Sequence, residues 1–166
     1  DTIYRKKLVH GEVHDENAYL MGGVSGHAGL FSNAEDIAKY AQMFVDGGVW
    51  KGKRIFKKTQ IEEFTTVQQI PEGSDMALGW DTPSQSGKSV AGDYFTPGSF
   101  GHLGFTGTSL WIDPVKKIII VLLTNRVHPS RKGDKGSREM NGIRRAFHNA
   151  VMEKITREDS LSVGRM

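Results

Sequence analysis

A run of six apolar residues, Ile118 to Leu123, follows a stretch of mixed composition over residues 101–113. The run has no alternation, which is typical of a central strand covered by helices on both faces. The mixed stretch contains glycines, which weaken a strand but let a ligand approach the backbone closely. Asp113-Pro114 between the two predicts a tight turn. The pattern therefore predicts two paired strands, the first of which faces a ligand.

The clearest helical pattern lies over residues 33–46. Apolar residues recur at i, i+3, i+4, i+7 and i+8, namely Ile37, Tyr40, Ala41, Phe44 and Val45. Polar residues occupy the opposite side, so this stripe is expected to face the core. Ser32 and Glu35 predict a capping box at its start, and Gly47-Gly48 predicts its end.

Two more helices are expected, over about residues 59–67 and 138–155. Thr59 and Glu62 form a second candidate capping box. The apolar face of the last helix is expected to comprise Met140, Ile143, Phe147, Ala150, Val151 and Ile155. Its basic residues are expected to lie mostly outside, namely Arg144, Arg145 and Lys154.

The remaining segments predict a short strand at 77–81, surface loops at 82–100 and 126–136, and a long loop over 1–31. Trp80 and Trp111 are expected to be packed in the core rather than to line a pocket. The order of elements predicts an α/β protein of the α+β kind, with an antiparallel sheet flanked by helices. We expect one domain over residues 1–155 and a polar tail over 156–166.

Composition excludes several classes of function. The chain has 166 residues, a net charge of +3 and 37% hydrophobic residues, as globular domains do. No apolar run approaches the ~20 residues of a membrane helix, and the start of the chain does not resemble a signal peptide. Dispersed basic residues without interleaved aromatics argue against a nucleic-acid partner. The absence of Cys excludes disulfides and a thiolate nucleophile.

Histidines and carboxylates concentrate near the N-terminus, where His10, His14, Asp15, Glu16 and His27 lie close together in sequence. Such residues ligate Zn or Mn, but their spacing matches no closed motif. The alternative is that the polar residues at 15–17 cap turns and bond the loop backbone. We expect no metal site, and keep metal-assisted hydrolysis as a third hypothesis.

Four blocks of sequence resemble one family. His102-Leu103-Gly104-Phe105-Thr106-Gly107 is similar to the Lys-Thr-Gly strand motif of serine β-lactamases and penicillin-binding proteins, with His in place of Lys. Asn125 resembles the Asn that closes the next strand in class C β-lactamases. Residues 13–18 and 22–32 resemble β-lactamase-related hydrolases, some of which are fused to family 3 glycosidases. The likeness covers about residues 4–155 in four ordered blocks, which makes it specific.

This resemblance implies a partial β-lactamase/transpeptidase-like fold and acyl transfer through a nucleophilic Ser in Ser-x-x-Lys, helped by a Tyr-x-Asn element. Neither motif occurs in this chain. In the family both precede the matched region, so the chain is expected to be the C-terminal part of such an enzyme. The isolated chain is not expected to turn over substrate.

The resemblance also assigns catalytic roles to His102, Gly104 and Phe105. The Phe105 N–H would be one of two donors that stabilise the oxyanion, and losing such a donor costs ~3 kcal/mol. Gly104 would let the substrate lie against the strand. His102 is mostly neutral at pH 7, unlike Lys. With Leu103 in place of Thr, this favours an esterase, amidase or peptidase over a strong penicillin binder.

Substrate-binding roles are expected for His27, Thr106, Asn125 and Arg126 by the same resemblance. The expected substrate is a small acyl, ester or peptide compound, such as a cell-wall peptide, with no metal or organic cofactor. The family suggests the periplasm or cell envelope. Apolar surface left uncovered predicts a homo-oligomer, or association with the N-terminal portion of the enzyme. The main alternative is a non-catalytic module of the same fold that binds a ligand or partner.

Overall fold

The structure, a computed structural model, describes residues 1–85, 87, 89–129 and 136–163. The chain divides into two compact units, Asp1–Asn33 and Ala34–Met166. Helices and antiparallel strands together make it a mixed α/β protein, as predicted.

The first unit contains a short helix, α1 (Glu16–Leu20), where the sequence predicted only loop. Asp15 caps it, since its Oδ1 accepts a hydrogen bond from the Ala18 N–H at 2.8 Å. This is the backbone-bonding role expected of the polar residues at 15–17. Five residues are too few for a periodic signal, which explains why the helix was missed. Arg5 supports the unit by donating to the carbonyls of His14 and Asp15.

The second unit begins with helix α2 (Ala34–Val45) and a small hairpin of β1 (Val49–Trp50) and β2 (Lys53–Arg54). Helix α3 (Lys58–Thr65) follows. The main sheet consists of β3 (Phe100–Leu103), β4 (Ser109–Asp113) and β5 (Ile118–Leu122). Helix α4 (Gly136–Val163) comes last.

The main sheet is antiparallel with the strand order β3-β4-β5. The stretch predicted to form one strand before Asp113 is two strands, because the chain folds back on itself over residues 104–108. The central strand is consequently β4, and the apolar run predicted to be central forms β5 at one edge. Its residues are mostly half-buried, which fits an edge position.

Helices cover the two faces of this sheet. On one face Phe100 and Ile112 form a core with residues of α2 and α3, namely Ala41, Met43, Phe44 and Ile61. On the other face lie Ser109 and Trp111, because side chains alternate along a strand. His148 of α4 contacts both: its Nε2 is 3.1 Å from Ser109 Oγ, and its ring centre is 6.4 Å from that of Trp111. The expectation of a sheet flanked by helices is confirmed.

The ends of α2 and α3 differ in detail from the predicted caps. Helix α2 ends as predicted, with Gly47 and Gly48 at positive φ and the Gly48 N–H bonded to the Met43 carbonyl at 2.8 Å. It begins at Ala34, so Asn33 rather than Ser32 immediately precedes it. Helix α3 is capped through Gln60, whose side chain accepts from the Lys57 N–H at 3.0 Å, and not through Thr59 and Glu62.

Helix α4 is longer than expected, and the face that it buries differs from the predicted apolar face. It extends to Val163, beyond the end predicted near residue 155, and residues 164–166 lie outside the described residues. Its buried face comprises Met140, Arg144, His148 and Met152. Ile143, assigned to the core from the sequence, is half exposed instead. Arginine and histidine are usually surface residues, so the hydrophobic pattern of the sequence could not identify this buried face.

The predicted strand at 77–81 reduces to a single bridging residue. Asp81 pairs with Gly101 of β3 and with Met76, and its neighbours do not continue the ladder. Trp111 is fully buried and Trp80 packs against Phe44 and Phe100, as expected. Residues 130–135 of the predicted basic loop lie outside the described residues. Among the helices of the described chain, none is long and apolar enough to cross a bilayer.

Candidate active site

The outer edge of β3 is largely open in the described part of the chain. Its inner edge pairs with β4, while its outer edge is bridged by Asp81 at Gly101, through two backbone hydrogen bonds of 2.8 and 2.9 Å. Antiparallel alternation then directs the N–H and C=O of Leu103, two positions further on, to the same outer edge. An extended ligand backbone could therefore pair alongside Leu103.

A tight turn over residues 104–108 joins β3 to β4. Each of its five backbone carbonyls accepts a hydrogen bond. Arg126 donates through Nε to the Phe105 carbonyl at 2.7 Å and through its N–H to the Thr106 carbonyl at 2.9 Å. Thr124 Oγ1 also donates to the Thr106 carbonyl, at 3.1 Å. The turn is therefore held mainly by residues far away in the sequence.

Arg144 holds the inner side of this turn. It is 5% exposed, and its guanidinium donates to the carbonyls of Gly104 at 2.6 Å, Thr108 at 2.9 Å and Gly107 at 3.1 Å. Burial lowers the pKa of Arg144, as does the positive charge of Arg126, and Asp81 acts in the opposite direction. The prediction that Arg144 lies outside is wrong, because carbonyl acceptors compensate for its loss of water.

The orientation of the Phe105 N–H follows from these contacts. A trans peptide is planar, with its C=O and N–H pointing in opposite directions. The Gly104 carbonyl points at Arg144, so the N–H of the same peptide, that of Phe105, points away from α4. The Phe105 side chain is 56% exposed, and the Arg126 guanidinium lies 4.7 Å from the centre of its ring.

His102 is exposed on β3, just before the turn. Its Nδ1 is 2.8 Å from the Leu103 carbonyl oxygen, which can only accept, so Nδ1 carries a hydrogen. In the neutral ring Nε2 is then an acceptor, and it becomes a donor only when the ring is protonated. Neutral His102 can therefore accept a hydrogen bond through Nε2.

Asp81 adds a carboxyl group to the surroundings of His102. Burial raises the pKa of Asp81, and the charges of His102 and Arg144 oppose that rise. The bridge to Gly101 places its backbone beside β3, one residue from His102. Asp81 could not be recognised from the sequence, because one acidic residue after a Trp carries no periodic or motif signal.

Gly104 has a packing role within the turn. A Cβ atom at this position would overlap Oγ1 of Thr108, within the turn itself. This glycine therefore lets the two ends of the turn approach each other. The role that the resemblance gives it, of letting the substrate lie against the strand, stays a prediction.

The other predicted binding residues fall into two groups. Thr106 is half-buried within the turn and Arg126 lies against it. Asn125 is exposed, and its backbone carbonyl accepts from the His128 N–H at 3.3 Å. His27 belongs to the first unit, where its Nε2 is 2.9 Å from Asp15 Oδ1 and its Nδ1 is 2.7 Å from Ser25 Oγ.

The Asp15–His27 pair affects titration within the first unit. The hydrogen bond from the Ala18 N–H lowers the pKa of Asp15, and His27 lowers it further. Over the residues that the structure describes, no three His, Asp or Glu side chains lie close enough together to hold a metal ion.

The fold and the site region are similar to known proteins. A β-lactamase from Mycobacterium bovis superposes with a TM-score of 0.56 at 22% identity, over 76% of this chain and 46% of that one, so the two share a fold. The family model described as Beta-lactamase matches residues 4–142. The chain belongs to the β-lactamase family, which confirms the resemblance found in its motifs.

Relatives with longer chains match most of this sequence. A putative D-alanyl-D-alanine carboxypeptidase from Salmonella agona is 41% identical over 126 residues, which is 75% of this chain. The corresponding protein of Salmonella typhi is 40% identical over the same length. The chain spans 29% of the length of these curated relatives.

Proposed function

We propose that this chain forms one wall of the acyl-transfer site of a serine hydrolase that cleaves an amide or ester. The observation that carries the proposal is the exposed end of β3, where His102 stands beside a turn with a firmly oriented Phe105 N–H. A tetrahedral intermediate needs such fixed donors, because they stabilise charge that develops on the carbonyl oxygen.

The attacking hydroxyl belongs, in this proposal, to a Ser-x-x-Lys motif outside the chain, with Tyr-x-Asn nearby. Neither motif occurs within its 166 residues. The short coverage of the relatives, 29% of their length, supports this placement. Residues 1–155 would then be the C-terminal part of a β-lactamase-like domain.

A peptide is the substrate class that the open edge of β3 favours. Extended peptides pair with an exposed strand through backbone hydrogen bonds. Leu103 offers its N–H, and a carbonyl that already accepts one hydrogen bond from His102 Nδ1. The relatives named as carboxypeptidases support a peptide ending in a carboxylate. Arg126, Asn125 and Thr106 lie at or near the turn and would bind that carboxylate, and His27 is a further proposed substrate-binding residue.

His102 would act through its Nε2 atom. In the neutral ring this atom accepts a hydrogen bond from the nucleophile's proton network, and after protonation it donates one to an anionic oxygen.

The test uses the longer polypeptide that the proposal requires, assayed with a short-chain fluorogenic ester and with a peptide ending in D-Ala-D-Ala. We expect His102→Ala to lower turnover at least about tenfold. His10→Ala, which removes an exposed histidine of the first unit, is the matched control and should be neutral.

Wild-type turnover in His102→Ala would remove His102 from the site. If the polypeptide bound the peptide but formed no acyl adduct, the chain would be the non-catalytic module instead. If His10→Ala lost activity and added zinc or manganese restored it, the result would support metal-assisted hydrolysis.

We also propose that exposed apolar surface of this chain is covered by a second copy or by the polypeptide that carries the nucleophile. Several large apolar side chains are exposed in the first unit, including Leu8, Leu20, Val24, Leu30 and Phe31. Apolar surface on this scale favours association. Light scattering at high concentration should show a dimer for the isolated chain, and a monomer would contradict self-association.

A further inference from the structure

Arg144 is a buried cation that donates almost entirely to backbone. Among the described residues, it donates to three carbonyls of the turn and to the Asn141 side chain, the last at 2.9 Å from Nη1. A planar guanidinium has five N–H donors in a fixed fork, so it can hold several carbonyls in one geometry at once. A lysine ammonium in its place could not match all three.

The Gly104 carbonyl links Arg144 to the proposed oxyanion donor. This oxygen accepts from Arg144 Nη2 and from the Gly107 N–H, at 2.6 and 3.0 Å. It belongs to the same peptide group as the Phe105 N–H. A hydrogen bond from a cation to the carbonyl oxygen polarises the peptide and makes its N–H a stronger donor.

We propose that Arg144 is a positioning residue: through the Gly104 carbonyl it sets the direction and the donor strength of the Phe105 N–H. This inference rests on the proposed function, because it assumes that the Phe105 N–H stabilises an oxyanion. Arg144 itself does not touch the substrate, as it lies on the inner side of the turn.

Arg145 provides a matched control on the same helix. Its guanidinium donates to the Ser89 carbonyl at 2.9 Å and pairs with Asp93. Within the part of the chain that the structure describes, it makes no hydrogen bond to the turn. Substitutions at 144 and 145 therefore change the same charge on adjacent positions of α4, but only the first affects the Gly104–Phe105 peptide.

The first experiment uses this chain alone and needs no activity. Amide ¹H and ¹⁵N resonances of Phe105 are compared in wild type, Arg144→Met, Arg144→Lys and Arg145→Met by NMR. We expect a large change at Phe105 in Arg144→Met, a smaller one in Arg144→Lys and none in Arg145→Met. Unchanged Phe105 amide resonances in a folded Arg144→Met variant would overturn the inference. If Arg144→Met does not fold, unchanged Phe105 resonances in Arg144→Lys would overturn it instead.

The second experiment measures kcat, KM and affinity for a peptide boronic acid, which forms a tetrahedral adduct, in the longer polypeptide. Arg144→Met should lower kcat and boronate affinity in parallel, by about tenfold or more, with KM nearly unchanged. Arg144→Lys should recover part of the loss. A lower melting temperature with wild-type kcat would mean a merely structural role and overturn the inference.

The two experiments separate the two ideas. If wild-type polypeptide neither turns over substrate nor forms an acyl adduct, the proposed function fails. In that case the NMR comparison still decides whether Arg144 controls the Phe105 amide.

Discussion

The two turns of the main sheet are built in different ways. The turn after Asp113, between β4 and β5, is held by the Asp113 carboxylate, which accepts from the Val115 and Lys116 N–H groups at 3.0 and 2.9 Å. The turn between β3 and β4 is held largely by Arg144 and Arg126, whose guanidinium groups donate to carbonyls 21 or more residues away. The first turn is mostly encoded locally, whereas the second depends on the assembled tertiary structure.

This difference in construction corresponds to the structural role of each turn. A local turn only has to reverse the chain, and an aspartate followed by proline suffices. The turn at the proposed site must fix the direction of one peptide group, which requires partners on both sides of it. Sites supported by remote side chains are held more precisely than loops left to themselves.

The largest expected effect comes from changing the turn at the site. Gly107 has φ of 100°, and a Cβ there would overlap Thr124 Oγ1 and crowd Met140. Gly107→Ala should therefore cost about 3 kcal/mol of unfolding free energy, from backbone strain and overpacking together. Urea denaturation measures this. Gly73→Ala is the control, since Gly73 also has positive φ but open space around it; an equal loss there would mean that packing at the turn adds nothing.

The next largest effect should follow from Asp113→Asn at the local turn. Asp113 is fully buried and also accepts from the N–H and Oγ1 of Thr96, at 3.0 and 2.9 Å. Burial raises its pKa, but these hydrogen bonds outweigh burial and the net pKa is lowered. In Asp113→Asn an NH2 group replaces one carboxylate oxygen and faces N–H or O–H groups that need an acceptor. This should lower the free energy of unfolding by about 2 kcal/mol. We expect exchange of the Val115 amide to quicken while Phe105 is unaffected; equal changes at both would show that the turns are coupled.

Acid should weaken the structure of β4 at Ser109, the end next to the proposed site, before it weakens the end at Asp113. His148 accepts from Ser109 through Nε2 and donates through Nδ1 to the Val90 carbonyl. Burial lowers the pKa of His148 below its ordinary 6.5. The unfolded chain then binds more protons below pH 6.5, so this stability is fully present above that pH and is lost as pH falls.

The lowered pKa of Asp113 means that its contribution is present above pH 3.8 and is lost only as pH falls through the folded value. Hydrogen exchange between pH 7.5 and 4.5, corrected for the intrinsic rate, should therefore show Ser109 losing protection before Val115. His148→Asn should remove this pH dependence. Simultaneous loss at both residues would contradict the order.

The smallest effect is expected from Pro114→Ala. Proline restricts φ in the unfolded chain, so its removal should cost only about 0.4–1 kcal/mol while the turn keeps its Asp113 hydrogen bonds. A melting-temperature comparison measures this. A loss larger than that of Asp113→Asn would mean that the proline, rather than the carboxylate, holds the turn.

Several elements could be predicted because their signals are local. The stripe from Ile37 to Val45 identified α2 and its buried face, and Gly47-Gly48 marked its end. The motif from His102 to Gly107 identified the family. The apolar run at 118–123 identified a strand but not its place in the sheet, because a run reports burial and not neighbours.

The sequence by itself determined the family, the helix and strand segments with a local period, and the Asp113-Pro114 turn, since each depends on residues a few positions apart. Only the tertiary structure decided which strand is central, which face of α4 is buried, and that Arg144 and Asp81 lie beside the turn and His102. The physical reason is that a buried arginine or aspartate is compensated by partners that are distant in sequence. The buried face of α4 consists of Met140, Arg144, His148 and Met152. It can be recognised only once the turn carbonyls that accept hydrogen bonds from Arg144 are in place.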